Sequence, residues 1–176
     1  MNDSEIETPE ERKLIEKIID RIQSSPHIQA LRERISGEKN IAIIVDGPNF
    51  LRKIKDKQIK LEEIDNAVKG LGKPIIKKVI LNEYAGENLI QAIANSGYEP
   101  IVSPHDIYLT MSIEVMNILT ENRKIDSIVI ASRHARTVPI LLKIKEKGKE
   151  SVTVGFEPGM STAVKKIADV SFLIEV

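Results

Sequence analysis

The tetrapeptide Asp46-Gly47-Pro48-Asn49 carries the sharpest chemical signal in the sequence, because it directly follows the apolar run Ile41-Ala42-Ile43-Ile44-Val45. A carboxylate at the end of an apolar strand, with an amide held close by a Gly-Pro turn, suits a divalent cation. Mg²⁺ takes oxygen ligands and keeps waters beside one or two carboxylates. The tetrapeptide also suits a purely local role, since Asp and Asn are preferred where a turn or helix begins. A nucleotide-cradling loop is excluded: neither glycine-rich phosphate fingerprint is present, and Pro48 removes a backbone donor where a phosphate would need one. No nucleotide cofactor is expected.

Other reactive side chains fall just after later apolar runs: Glu83 and Tyr84, Pro104-His105-Asp106, Ser132-Arg133-His134-Ala135-Arg136, and Glu157-Pro158-Gly159-Met160-Ser161. His134 with Arg136 has the makings of a base and a charge stabiliser for metal-free cleavage through a ribose 2′-hydroxyl. A lone histidine at such a place is also an ordinary hydrogen-bonded loop residue. Arg52, Lys53, Lys55, Lys57 and Lys60 crowd the segment after Asn49, with Asp56 as the one acid among them. Together with Arg133 and Arg136 they form a phosphate-tracking patch, whose hold would weaken with salt, or else a solvated charged loop. Lys143, Lys145, Lys147 and Lys149 are spaced by two and so scatter around a helix. Ser161 or Thr162 caps a helix whose first backbone donors suit an anion, or completes a common Pro-Gly turn.

Short β-branched runs at 41–45, 75–81, 100–103, 127–131, 151–155 and 170–174 alternate with helical stretches at 61–70, 87–95, 109–122, 138–147 and 162–167. This alternation, with continuously apolar strands such as Ile41-Ala42-Ile43-Ile44-Val45, predicts an α/β fold: a doubly wound, mainly parallel six-stranded sheet covered by helices on both faces. Ligands of such sheets sit beyond the carboxyl ends of the strands near the switch point, where these reactive side chains fall. Residues 1–39 read as an N-terminal helical extension. Thr8-Pro9-Glu10-Glu11 makes a capping box, and Leu14, Ile15, Ile18, Ile19 and Ile22 form one apolar stripe before Ser24-Ser25-Pro26. A second short helix runs through Leu31 and Ile35. Such a stripe packs on its own domain or on a second copy, which makes a homodimer one expectation.

The chain of 176 residues balances 26 Lys and Arg against 26 Asp and Glu and contains no Cys. Disulfides and Cys-ligated metals are excluded, and the cytoplasm is the expected compartment. No apolar run approaches a membrane span, and the acidic start is unlike a signal peptide. With no net charge, a polyanion must be met by a local patch. Three Phe and three Tyr argue against stacking of bases across a sheet face.

The run IAIIVDGPNFLR from Ile41 to Arg52 resembles the opening strand of NYN domains, relatives of the PIN nucleases and especially a branch of archaeal proteins. Ile80-Leu81-Asn82-Glu83-Tyr84, Gly97-Tyr98-Glu99-Pro100-Ile101, Glu114-Val115-Met116 and the stretch from Val154 to Ala163 come after it in the expected order, so the resemblance covers 40–176. It implies a PIN-like fold and, for intact members, carboxylates that bind Mg²⁺ or Mn²⁺ and hydrolyse RNA. Asp46, Asn49 and Glu114 stand on matching positions. Tyr108 stands where such relatives carry an acid, with Asp106 displaced by two, and His134 and Arg136 stand where they carry two more. Replacing two acids by His and Arg changes the local charge by about +3 with His neutral, which repels a cation and favours phosphate.

The resulting expectation is an RNA- or phosphate-binding domain with a degenerate nuclease site and no cofactor. Arg52, Lys53, Lys55, Arg133, His134, Arg136 and Ser161 would contact the polyanion. In the rival expectation, Asp46, Asp106 and Glu114 hold Mg²⁺ or Mn²⁺ for RNA hydrolysis while Asn49 orients water or phosphate. A third is an interaction module dimerising through the N-terminal helices. Arg136 is alternatively a structural partner of Asp46 or Glu114.

Overall fold

The computed structural model describes residues 37–175 apart from 52, 55, 56 and 123. The expected N-terminal helices, Arg52 and Lys55 lie outside the described residues, and of Lys53 only the backbone is described.

Six strands make one parallel sheet: β1 (Asn40–Asp46), β4 (Lys73–Leu81), β5 (Glu99–Val102), β6 (Ser127–Ala131), β7 (Glu150–Phe156) and β8 (Val170–Ile174), in the order β5-β4-β1-β6-β7-β8. From β1 the chain winds outward through β4 to β5, then returns to β6 and winds the other way. The crevice between the ends of β1 and β6 is therefore the switch point, where an open α/β sheet offers a ligand site. Two short strands, β2 (Lys53–Ile54) and β3 (Lys57–Gln58), form a separate antiparallel hairpin inside the basic segment.

Helices α1 (Gly47–Phe50), α2 (Leu61–Val68) and α3 (Glu87–Asn95) belong to one face, and α4 (Ile107–Glu121), α5 (Val138–Glu146) and α6 (Thr162–Ile167) to the other. Strand β1 shows why. Ile41, Ile43 and Val45 enter a core with Phe50, Ile64, Ile93 and Phe156, while Ala42 and Ile44 enter a second core with Met111, Val115, Leu141 and Val164. With both faces covered, nothing favours a polar residue until the strand ends, and Asp46 is the first to appear. Each fully buried Ile contributes roughly 1.5–3 kcal/mol, so the register of β1 is strongly held and Asp46 is pinned at its end.

Gly47 lets α1 begin directly against the sheet. A Cβ at this position would lie 2.7 Å from the Ile80 carbonyl oxygen on β4, so any side chain would push the helix away from the strand. Among the described residues no helix is long and apolar enough to cross a membrane.

Candidate functional site

Asp46 ends β1 and is 1% exposed. Its Oδ1 accepts from the backbone N–H of Asn49 at 3.1 Å, which caps α1. Its Oδ2 accepts from the Ser132 hydroxyl at 2.9 Å and from the Tyr108 hydroxyl at 3.1 Å. Ser132 directly follows β6, whose Ala131 pairs with Val45, so the switch point itself brings Ser132 to Asp46. Tyr108 arrives from the first turn of α4. Burial pushes the Asp46 carboxyl above its ordinary value, while bonds from Ser132, Asn49 and Tyr108 and the nearby His134 pull it back only in part. The Tyr108 hydroxyl is itself raised, by burial first and by the Asp46 charge second, so it remains a donor.

Around this centre the cations are tied to the protein. Arg133 is 6% exposed. Its N and Nε both donate to Asn49 Oδ1 at 3.3 Å, Nη1 donates to the Pro158 carbonyl at 2.6 Å, and the guanidinium lies 4.0 Å over the Phe156 ring. Pro158 follows a cis peptide bond, and Gly159 adopts φ +103°, where a Cβ would stand 3.0 Å from Arg133 Nη1. His134 Nδ1 accepts from the Arg136 N–H at 3.3 Å, which leaves the neutral ring's proton on Nε2. The Tyr108 ring lies against His134, with centroids 5.3 Å apart, and 4.5 Å from the Arg136 guanidinium. Arg136 pairs with Asp106, and this partner holds the Asp106 carboxyl below its ordinary range. Asp106 also caps α4 through the Tyr108 N–H.

A cleft of about 470 Å³ opens beside these groups, lined by Asn49, Arg133, His134, Ala135, Pro158, Gly159 and Ser161. Its lining holds amide, guanidinium, imidazole and hydroxyl donors and no carboxylate. Ser161 is fixed there by its N–H, which donates to the Arg133 carbonyl at 3.0 Å, and its side chain makes no capping bond.

Asp46, Asn49, Asp106, Arg133, His134, Arg136 and Ser161 thus gather at the strand ends. Glu114 does not join them. It accepts from Lys78 Nζ at 2.6 Å, and Lys78 also lies 3.4 Å from Glu99. Lys78 pairs in register with Ile44, two residues before Asp46, so this ion pair faces a different cleft further back along the sheet. Glu114 is therefore apart from the other implied acids: Asp46 accepts from three donors, Asp106 is bound to Arg136, and Glu114 to Lys78. Among the described residues no group of three His, Asp or Glu side chains could hold a metal ion. As placed, Asp46, Asp106 and Glu114 are each engaged by protein donors and do not present a shared set of carboxylate ligands to Mg²⁺ or Mn²⁺.

Sequence reasoning missed the parts of Ser132, Phe156 and the Pro158 carbonyl. Ser132 had a signal, since a residue ending the strand next to β1 must face Asp46. Arg136 was weighed as a partner of Asp46 or Glu114, and its partner is Asp106.

A doubly wound parallel sheet with a buried carboxylate at its switch point is the frame of a PIN-like nuclease fold. The sequence model of the NYN domain matches residues 40–175, and the chain belongs to that family. An uncharacterised protein of Methanocaldococcus jannaschii, MJ0482, is 41% identical over 133 residues, covering 76% of this chain and 54% of that protein. The chain therefore spans about half the length of the curated relative it matches. A protein of unknown function from Vibrio parahaemolyticus, VPA0982, has a crystal structure that superposes with a TM-score of 0.68 at 15% identity, over 79% of this chain and 94% of that one. At that identity the likeness concerns the fold.

Proposed function

We propose that the strand-end rim binds the phosphate backbone of RNA without a divalent cation and does not hydrolyse it. The observation that carries this reading is the cleft beside Asn49, Arg133, His134 and Ser161, which is lined by donors and lacks any carboxylate. Metal-assisted phosphodiester hydrolysis uses a cation to lower the pKa of the attacking water and to neutralise charge at phosphorus. Here the acids that would hold the cation are each engaged by protein donors. A phosphate instead meets His134 Nε2, the Ser161 hydroxyl and the Asn49 amide, with guanidinium charge behind them. The Arg133 guanidinium, already locked by Asn49, Pro158 and Phe156, lends the cleft a fixed positive charge and loses little freedom when a ligand arrives.

The test is retention of a labelled RNA strand by the protein with EDTA and with Mn²⁺. Binding is expected to be equal in both, to fall with rising salt, and to weaken in His134→Ala and Arg136→Ala. Each phosphate contact contributes a salt slope of about 0.7 on a single strand. Cleavage of the strand in Mn²⁺ that disappears in Asp46→Ala would overturn the reading and establish the metal-dependent ribonuclease. Absence of RNA retention under every condition would overturn it in favour of an interaction module.

A further inference from the structure

Six Phe and Tyr rings are present in the chain. Phe50, Phe156 and Tyr98 are buried, Phe172 is half-buried, and Tyr108 is half-buried and spent on Asp46. Tyr84 stands apart: it is 83% exposed, although a large ring left in water is a cost unless something covers it. It sits at the end of β4, in the turn closed by the Ala85 N–H donating to the Asn82 carbonyl at 3.2 Å. Tyr84 lines a shallow pocket of about 230 Å³ with Gly47, Pro48, Leu51, Leu81 and Leu89. No charged residue lines that pocket, and one side-chain amide, that of Asn82, does.

Its position gives the pocket meaning. Helix α1 separates it from the donor-lined cleft, with Pro48 lining the pocket and Asn49 lining the cleft. An α-helix with its side chains is about 10–12 Å across, so the apolar slot and the anion cleft flank one helix on the same rim, within reach of neighbouring nucleotides of one strand. A flat, uncharged pocket with one aromatic face and one amide next to a phosphate site matches an unpaired nucleobase. A base still paired in a duplex does not offer its face.

We infer that the pocket beside Tyr84 is a base subsite, in which an unpaired nucleobase stacks on Tyr84 while its phosphate occupies the cleft at Asn49 and His134. The inference rests on the phosphate-binding function proposed for the rim and narrows it to single strands. The Asn82 amide offers a donor and an acceptor to the base edge, and the apolar walls of Leu51, Leu81 and Leu89 exclude water from its other side. Stacking on a ring accepts every base, so the subsite selects strandedness rather than sequence.

The experiment measures fluorescence anisotropy of the intact chain with a short labelled oligouridine, the same strand with abasic sites, a duplex of equal length, and a deoxy strand. Tyr84 is exposed, so Tyr84→Ala and Tyr84→Trp are expected to fold as the parent does. Tyr84→Ala should lose about fivefold or more in affinity for the single strand, the lower end of what one stacked base contributes. Tyr84→Trp should retain it and show indole quenching on binding. The parent should bind the abasic strand as weakly as Tyr84→Ala does, and Tyr84→Ala should no longer tell the two strands apart. If Tyr84→Ala binds the single strand as well as the parent does, while His134→Ala binds it less well, the base subsite is overturned and the phosphate cleft stands. If the parent binds no strand at all, both readings are overturned. Equal Tyr84 dependence on the deoxy strand overturns RNA as the source of the base and keeps the subsite.

Discussion

Tyr108→Phe isolates one of the bonds that hold the buried Asp46 carboxyl. The substitution keeps the ring against His134 and under Arg136 and deletes only the hydroxyl that donates to Asp46 Oδ2 at 3.1 Å. Hydrogen bonds to charged groups contribute about 1.5–3 kcal/mol. At 3.1 Å this one is at the long end for an O–H donor, so about 1.5–2 kcal/mol is expected near neutral pH. Water cannot replace the donor at a carboxylate that is 1% exposed. For a chain of this size the loss corresponds to a Tm lower by roughly 3–8 °C. The pH dependence has a definite sign. The folded Asp46 carboxyl is already raised above its ordinary 3.8, so its contribution to stability is full below that value and declines as pH rises through the folded one. Tyr108→Phe raises the folded value further. The deficit relative to the parent therefore opens as pH rises above the ordinary carboxyl range and narrows in acid, where the carboxyl is protonated in both proteins. Urea melts near neutral pH and in mild acid read this directly. Equal stability at neutral pH, or a deficit that grows in acid, would show that the Tyr108 hydroxyl does not hold Asp46 as an anion.

Gly47→Ala forces a Cβ to within 2.7 Å of the Ile80 carbonyl oxygen and should cost about 1–3 kcal/mol as an overpacked contact, read from the urea midpoint. Gly159→Ala meets φ +103° and Arg133 Nη1 at 3.0 Å together, so it should both lower Tm and weaken RNA retention. Arg136→Ala removes an exposed ion pair to Asp106 and should leave the urea midpoint nearly unchanged while reducing RNA affinity and its salt slope. Burial pulls Lys78 down, yet Glu114 and Glu99 more than offset this and leave it raised above 10.5. Its pairing energy is therefore present below that pH and lost as pH rises through the folded value. Glu114→Gln should flatten this alkaline loss of stability and leave RNA binding unchanged.

The sheet was legible because its signal is continuous. Runs such as 127–131 and 170–174 coincide with β6 and β8, and the helix expected at 87–95 is α3 residue for residue, since β-branched and apolar runs bounded by turn residues mark strands at the centre and at the edge alike. The β2–β3 hairpin was not legible: two-residue strands within a basic segment carry no apolar alternation to read. At the site, Asp46, Asp106, His134 and Arg136 could be placed at one rim from the strand ends alone. Their pairing could not. Whether Arg136 meets Asp46, Asp106 or Glu114 depends on where α4 places its first turn and how deep Glu114 lies along it, and the depth is set by Met111, Val115 and Ile118 packing on the sheet. Those contacts put Glu114 beside Lys78, a side chain that no local pattern connects to it.

The substitutions at the rim have a common physical logic. A cluster of carboxylates deprived of its cation would repel itself and leave Asp46 as an uncompensated buried charge, which costs several kcal/mol. A buried carboxylate such as Asp46 is therefore tolerable without a cation only where protein donors surround it. Tyr108 and Ser132 each aim a hydroxyl at Asp46, and Arg136 neutralises Asp106. No buried side-chain polar atom among the described residues is left without a partner. With Asp46 held by protein donors, the carboxylate-free cleft beside it is left to carry the proposed phosphate site.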